Sequence, residues 1–155
     1  MRAHIIILNS KDKKLLRQTL EAQFGVTELF EDKVLYCINK KERVYLTNRE
    51  SFDEDQEALR VNAFGLYIGT YMPDGFRLSL EGAQLLGPRA TKGIVSITVT
   101  QRNAWFKGED LNAPESFDNY VLLQQGKDFC GVGKVKNGRI MNYLSKARKL
   151  TNVFM

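Results

Sequence analysis

Between Asn119 and Leu144 the sequence leaves little freedom in local structure. Three stretches rich in alternating apolar residues, Asn119–Gln124, Asp128–Lys136 and Arg139–Leu144, are separated by two short breaks, Gln125-Gly126-Lys127 and Asn137-Gly138. Asn-Gly accepts positive φ at both of its positions, as a two-residue type I′ turn demands, and that turn twists in the same sense as the strands it joins. The stretches are therefore expected to be three consecutive antiparallel strands. Upstream, Ile94–Val99 alternates and is predicted as a further strand. One or two helical turns follow over Gln101–Lys107, ending at Gly108, and then a loop over 112–118 containing Pro114. Residues 91–155 thus form a small, mostly β domain with one helix after its first strand. A domain of this size buries too little surface to be secure alone, so it is expected to pack on what precedes it.

Residues 1–90 follow a different pattern. A β-branched run at residues 4–8 suits a buried strand. Ser10 is expected to cap a helix of about 11–24, with Leu16, Leu20 and Phe24 recurring on one face, Leu15 beside them and Gly25 as its stop. Lys33–Asn39 and Arg43–Thr47 flank Lys40-Lys41-Glu42 as a hairpin. The acidic stretch 48–60 suggests a turn and a short helix around Asp53–Leu59. Phe64–Tyr71 and Phe76–Leu80 flank Met72-Pro73-Asp74-Gly75, a second hairpin signal, and Ser79 is placed to cap a helix over 80–86 that stops at Gly87-Pro88. The fold class is α+β: an α/β unit over 1–90 and a small, mostly β domain over 91–155. Neither a repeat nor a low-complexity linker interrupts the chain.

The net charge of +5 is unevenly placed. Residues 1–90 carry thirteen Lys/Arg and thirteen Asp/Glu, while residues 91–155 carry ten and five. Beyond Asp128 no carboxylate side chain follows, yet six bases do: Lys134, Lys136, Arg139, Lys146, Arg148 and Lys149. The Asn137-Gly138 turn sets Lys136 beside Arg139, and Lys134 shares a strand face with Lys136. Such a surface suits a phosphate backbone, where displaced counterions supply affinity. The charge alone is equally consistent with a solvated surface. Tyr143 lies among these bases and is suited either to stacking on a base or to core packing. Gly108, Glu109 and Asp110 follow the short helix. Their carboxylates suit either acceptance from base amino groups or a capped turn with two solvated acids.

Several functional classes find no support. No run approaches the ~18 apolar residues of a membrane span, and the opening apolar stretch is too short for a secretory signal. A cytoplasmic protein without membrane association is expected. Cys37 and Cys130 sit in apolar runs and suit buried, reduced thiols. With one His and two Cys no metal centre is expected. His4, which opens a strand, is expected to be structural rather than catalytic. Gly131-Val132-Gly133 lacks the third glycine of a dinucleotide loop, and neither Gly126-Lys127 nor Gly133-Lys134 continues into the Ser or Thr of a phosphate loop. These glycines suit a bulge or a close approach in a curved strand, so no cofactor is expected.

Tyr120-Val121-Leu122, Gly131-Val132-Gly133-Lys134-Val135, Asn137-Gly138-Arg139, Asn142-Tyr143 and Lys146-x-Arg148 together resemble the C-terminal, RNA-binding PUA-like domain of ribosomal-RNA cytosine-5 methyltransferases. Ser145 stands where that family usually has Pro, and Met141 where it commonly has a base. Further upstream are Arg43-Val44-Tyr45, Gly65-Leu66-Tyr67-x-Gly69, Phe76-Arg77-Leu78, Leu86-Gly87-Pro88 and Trp105-Phe106-x-Gly108. In that order they are similar to a family of archaeal and eukaryotic ribosome-biogenesis factors. Those factors carry a pre-PUA domain followed by a PUA domain. The resemblance implies an α/β pre-PUA domain over 1–90 and a PUA domain, a small mixed β-barrel, over 91–155. It implies RNA lying against Gly108, Glu109 and Asp110, the Gly131–Gly133 strand and the C-terminal segment. Phosphates would meet Lys134, Lys136, Arg139, Lys146, Arg148 and Lys149. Gly126 with Lys127, Gly131 and Gly133 would let the backbone come close, and Asn142 or Tyr143 would contact a base or ribose. The methyltransferases' catalytic domain has no counterpart here, so a non-catalytic protein is implied. Its partners would be structured RNA, ribosomal or transfer, and ribosome-assembly or RNA-modification proteins held by the N-terminal domain. A protein-interaction module without RNA contact is the alternative.

Overall fold

The computed structural model describes residues 4–49 and 65–144. The helix expected around Asp53–Leu59, and Lys146, Arg148 and Lys149, lie outside the described residues. The architecture is α+β, with two five-stranded sheets. The first runs β1 (Ile5–Ile7), β2 (Lys33–Ile38), β3 (Arg43–Asn48), β4 (Leu66–Met72) and β5 (Gly75–Leu78), each antiparallel to the next. Helix α1 (Ser10–Phe24) buries Leu16, Leu20 and Phe24 in a core shared with Leu35, Cys37, Val44, Ile68 and Phe76 of this sheet. The cap of α1 is Asn9 rather than the expected Ser10. Asn9 accepts from the Asp12 N–H, and the Asp12 carboxylate accepts from the Asn9 N–H, so two end donors are satisfied reciprocally. Gly25 ends the helix at φ 71°. Strand β1 is an edge strand with Ile7 48% exposed, not the buried strand expected.

Helix α2 (Leu80–Leu86) starts at Ser79, whose hydroxyl accepts from the Gly82 N–H, and runs into a 3-10 turn at Gly87–Arg89. Strand β6 (Ile94–Ser96) is shorter than expected, because Thr98 and Gln101 form a capping box that starts α3 (Val99–Phe106) at Val99. The second sheet has the order β6, β8 (Asn119–Gln125), β9 (Asp128–Lys136), β10 (Arg139–Asn142), β7 (Leu111–Asn112). Among the described strands only β6 and β8 pair in parallel. The two-residue β7, paired with Arg139 and Ile140, was not foreseen, since two residues carry no alternation.

The run Tyr120-Val121-Leu122-Leu123 is buried throughout because β8 is covered on both faces. Tyr120 and Leu122, with Phe129 and Val132 of β9, join the core of α1 and the first sheet. Val121 and Leu123 face a second core, which the sheet wraps around Trp105 with Val95, Leu111, Cys130 and Ile140. One apolar cluster therefore crosses from the first half of the chain to the second, as the small size of the C-terminal half requires. Both Cys37 and Cys130 are buried and free.

Candidate nucleic-acid interface

The hairpin of β9 and β10 forms as its turn residues dictate. Asn137 and Gly138 both take positive φ, 51° and 76°, and Lys136 and Arg139 pair directly across the strands. Like charges in that position repel. Both side chains are exposed, and among the described residues neither has a carboxylate within ion-pair distance. Arg139 is oriented by neutral acceptors instead. Its Nη1 donates to Asn112 Oδ1 at 2.6 Å and its Nη2 to the Asp110 carbonyl at 3.1 Å. The guanidinium is thus held in place by neutral acceptors, with no carboxylate partner among the described residues.

Lys134 differs from what the sequence suggests. The tail lacks carboxylates of its own, but the β4–β5 turn supplies one: Lys134 Nζ pairs with Asp74 and lies 5.5 Å from the Tyr120 ring centre. Tyr120 donates its hydroxyl proton to Asp74 Oδ1 at 2.8 Å, so Asp74 ties two strands of the second sheet, β8 and β9, to the first. Burial pushes the Tyr120 hydroxyl pKa up, against the opposing effect of nearby Arg77.

Asn142 is likewise occupied inside the fold. Its Nδ2 donates to the carbonyls of Trp105 (2.7 Å) and Glu109 (3.0 Å), and its Oδ1 accepts from the Leu144 N–H at 2.9 Å. Its own N–H donates to Asp110 Oδ1 at 2.8 Å. Gly108, Glu109 and Asp110 therefore lie against β10, close to Arg139. They follow the C-terminal end of α3, the negative end of its dipole, which suits them to donors rather than to phosphates.

The Gly131–Gly133 strand makes its close approach inward. A Cβ at Gly133 would stand 2.9 Å from Trp105 Cη2 and from the Met141 carbonyl, and Trp105 Nε1 donates to the Cys130 carbonyl at 3.0 Å. The space beside Gly133 is filled by Ile140 and Trp105. Gly126 and Lys127 are exposed at the opposite end of β9, about 26 Å from the Lys136 tip at the usual strand rise. The structure thus brings together Lys134, Lys136, Arg139, Asn142, Tyr143 and 108–110, but not Gly126 or Lys127.

Arg77 was not foreseen as a site residue. Its guanidinium carbon lies 4.9 Å from the centre of the exposed Tyr143 ring, so Tyr143 stands at the surface rather than in the core. A cavity of about 200 Å³ is lined by Asp74, Arg77, Tyr120, Lys134, Lys136 and Tyr143. The only sequence signal was that Arg77 is the one cation between the core residues Phe76 and Leu78; nothing local pointed to Tyr143. Among the described residues no cluster of His, Cys, Asp and Glu could hold a metal ion, and no helix is long and apolar enough to cross a membrane.

Residues 92–150 match the family model of the Methyltransferase RsmF PUA domain. Over 143 residues the chain is 25% identical to ribosomal RNA small subunit methyltransferase F of Aeromonas hydrophila, and 24% identical to the protein of the same name from Aeromonas salmonicida. Each alignment covers 90% of this chain and 28% of the relative, so the chain spans little more than a quarter of the curated relatives it matches. A hypothetical protein from the hyperthermophilic archaeon Pyrococcus horikoshii has a solved structure with a TM-score of 0.52 to this one. The identity is 14%, and the match covers 94% of this chain and 86% of that one. That likeness concerns the fold. The C-terminal half accordingly resembles the PUA domain of ribosomal RNA methyltransferases, as its motifs implied.

Proposed function

We propose that this protein is a non-catalytic RNA-binding protein that holds structured RNA, ribosomal RNA first and transfer RNA second, on the β9–β10 hairpin. The observation that carries the reading is the Lys136–Arg139 pair, two exposed cations set opposite each other with no carboxylate partner among the described residues. Folding gains nothing from that repulsion, whereas a phosphate backbone relieves it. The match of residues 92–150 to a methyltransferase PUA domain, and the similarity to ribosomal RNA methyltransferases, support ribosomal RNA as the class. The domain division at 90/91 and a cytoplasmic location belong to the same proposal. Burial raises the pKa of both cysteine thiols, which makes them poor nucleophiles and supports the non-catalytic reading.

Filter binding to an RNA hairpin over a range of salt concentrations tests it. Affinity is expected to fall steeply with salt. K136E/R139E is expected to weaken binding and to flatten the salt slope by about one per lost phosphate contact. Salt-independent binding, or a slope unchanged in the variant, would sink the proposal. Partners retained after RNase treatment, with no RNA bound, would favour the protein-interaction alternative.

A further inference from the structure

A cavity of about 790 Å³ opens where the first sheet meets the end of the second, within the size range of small-ligand sites. Arg43, Tyr67, Arg77 and Tyr143 line it, together with Glu81 and Gly131. The first four form two cation–π pairs. Arg77 stands 4.9 Å from the Tyr143 ring centre, and Arg43 stands 5.8 Å from that of Tyr67. Arg43 pairs with Thr70, and Thr70 with Arg77, so the two arginines share one sheet face with their Cα atoms about 10 Å apart, two strand spacings. Among the described residues neither arginine is in an ion pair.

An arginine laid over a tyrosine offers guanidinium N–H groups to an anion and an aromatic face to a flat ring. A nucleotide is an anion joined to a flat ring. A base inside a duplex has its faces covered by its neighbours, so only an unpaired one can use such a site. The position of the cavity adds direction. Arg77 and Tyr143 also line the smaller cavity that holds Lys134 and Lys136, so one wall joins the large cavity to the hairpin tip.

We propose that the large cavity takes an unpaired nucleotide adjoining the RNA helix held at the hairpin tip, its base against Tyr143 and its phosphates at Arg77 and Arg43. The inference rests on the RNA-binding reading. It adds a single-stranded element to the RNA that is recognised, and it gives the first half of the chain a direct part in binding.

The test compares, with the full chain and at one salt concentration, a blunt RNA hairpin and the same hairpin carrying a short single-stranded extension at either end. Fluorescence anisotropy reads the affinities. One extension is expected to tighten binding by about tenfold, the usual effect of stacking one base on an aromatic ring. R77Q and Y143L are each expected to abolish that gain, read as the ratio of extended-hairpin to blunt-hairpin affinity of the same variant, and Y143F to retain it. Melting followed by Trp105 fluorescence confirms that the variants fold. Equal affinity for blunt and extended RNA would overturn this inference and leave the hairpin-tip reading standing. Absence of binding to either RNA would overturn both. Tight binding of AMP alone, lost in R77Q, would assign the cavity to a free nucleotide and overturn the RNA assignment.

Discussion

Asp74 brings a carboxylate into the basic surface, and replacing it with asparagine isolates its effect. In D74N the Tyr120 hydroxyl keeps an acceptor in place of Oδ1, while Lys134 loses its counter-charge. The side chains of the pair are 22% and 38% exposed, so water screens it and its loss costs about 1 kcal/mol or less of stability. The effect on RNA has the opposite sign. A released ammonium able to meet one further phosphate steepens the salt dependence by about 0.9 in log–log slope. Taking 1 M salt as the reference, that amounts to about eightfold tighter binding at 0.1 M. Filter binding across this range gives slope and affinity together, and a thermal melt gives the stability cost. The double variant D74N/K134Q should return the slope to the wild-type value, because it again lacks the freed charge. An unchanged slope in D74N, or weaker binding, would refute the idea that Lys134 faces the RNA once its partner is removed.

Asn142→Ala removes three side-chain hydrogen bonds and should lower stability by about 2–3 kcal/mol. The melting temperature would then fall by about 4–12 °C, while RNA affinity at temperatures where the chain is folded stays close to wild type. Gly133→Ala drives a methyl towards Trp105 and Ile140 and should cost about 1–3 kcal/mol. Trp105 is the only tryptophan, so an unshifted emission spectrum with wild-type stability would count against the packing described. Alkaline pH should also destabilise the fold. Burial raises Cys37 and Cys130 above 9.0, and Tyr36, Tyr71 and Tyr120 above 10.0. The unfolded chain then gives up these protons at lower pH than the folded one, so it binds fewer and stability falls as pH rises. A urea midpoint that begins to drop near pH 9 is the expected result, and a flat midpoint up to pH 11 would contradict it.

The sequence by itself determined the elements whose cause is local. Asn137-Gly138 set the β9–β10 register, and with it the contact of Lys136 and Arg139, because turn chemistry acts over four residues. Ser79 and Gly25 bounded their helices for the same reason. Where two neighbouring residues could both cap, as with Asn9 and Ser10, only the geometry of the Asp12 carboxylate decided between them. The site is a different matter. Counting charges suggested that Lys134 was free, yet a carboxylate sixty residues earlier neutralises it. Asn142 looked available to RNA, yet it is taken up by the ends of α3 and β10. Tyr143 looked equally suited to core or surface until Arg77 was found over its ring. Side-chain chemistry states what a residue can bind. Which of its partners it meets first is fixed by the packing of the two sheets, and no local pattern in the chain encodes that.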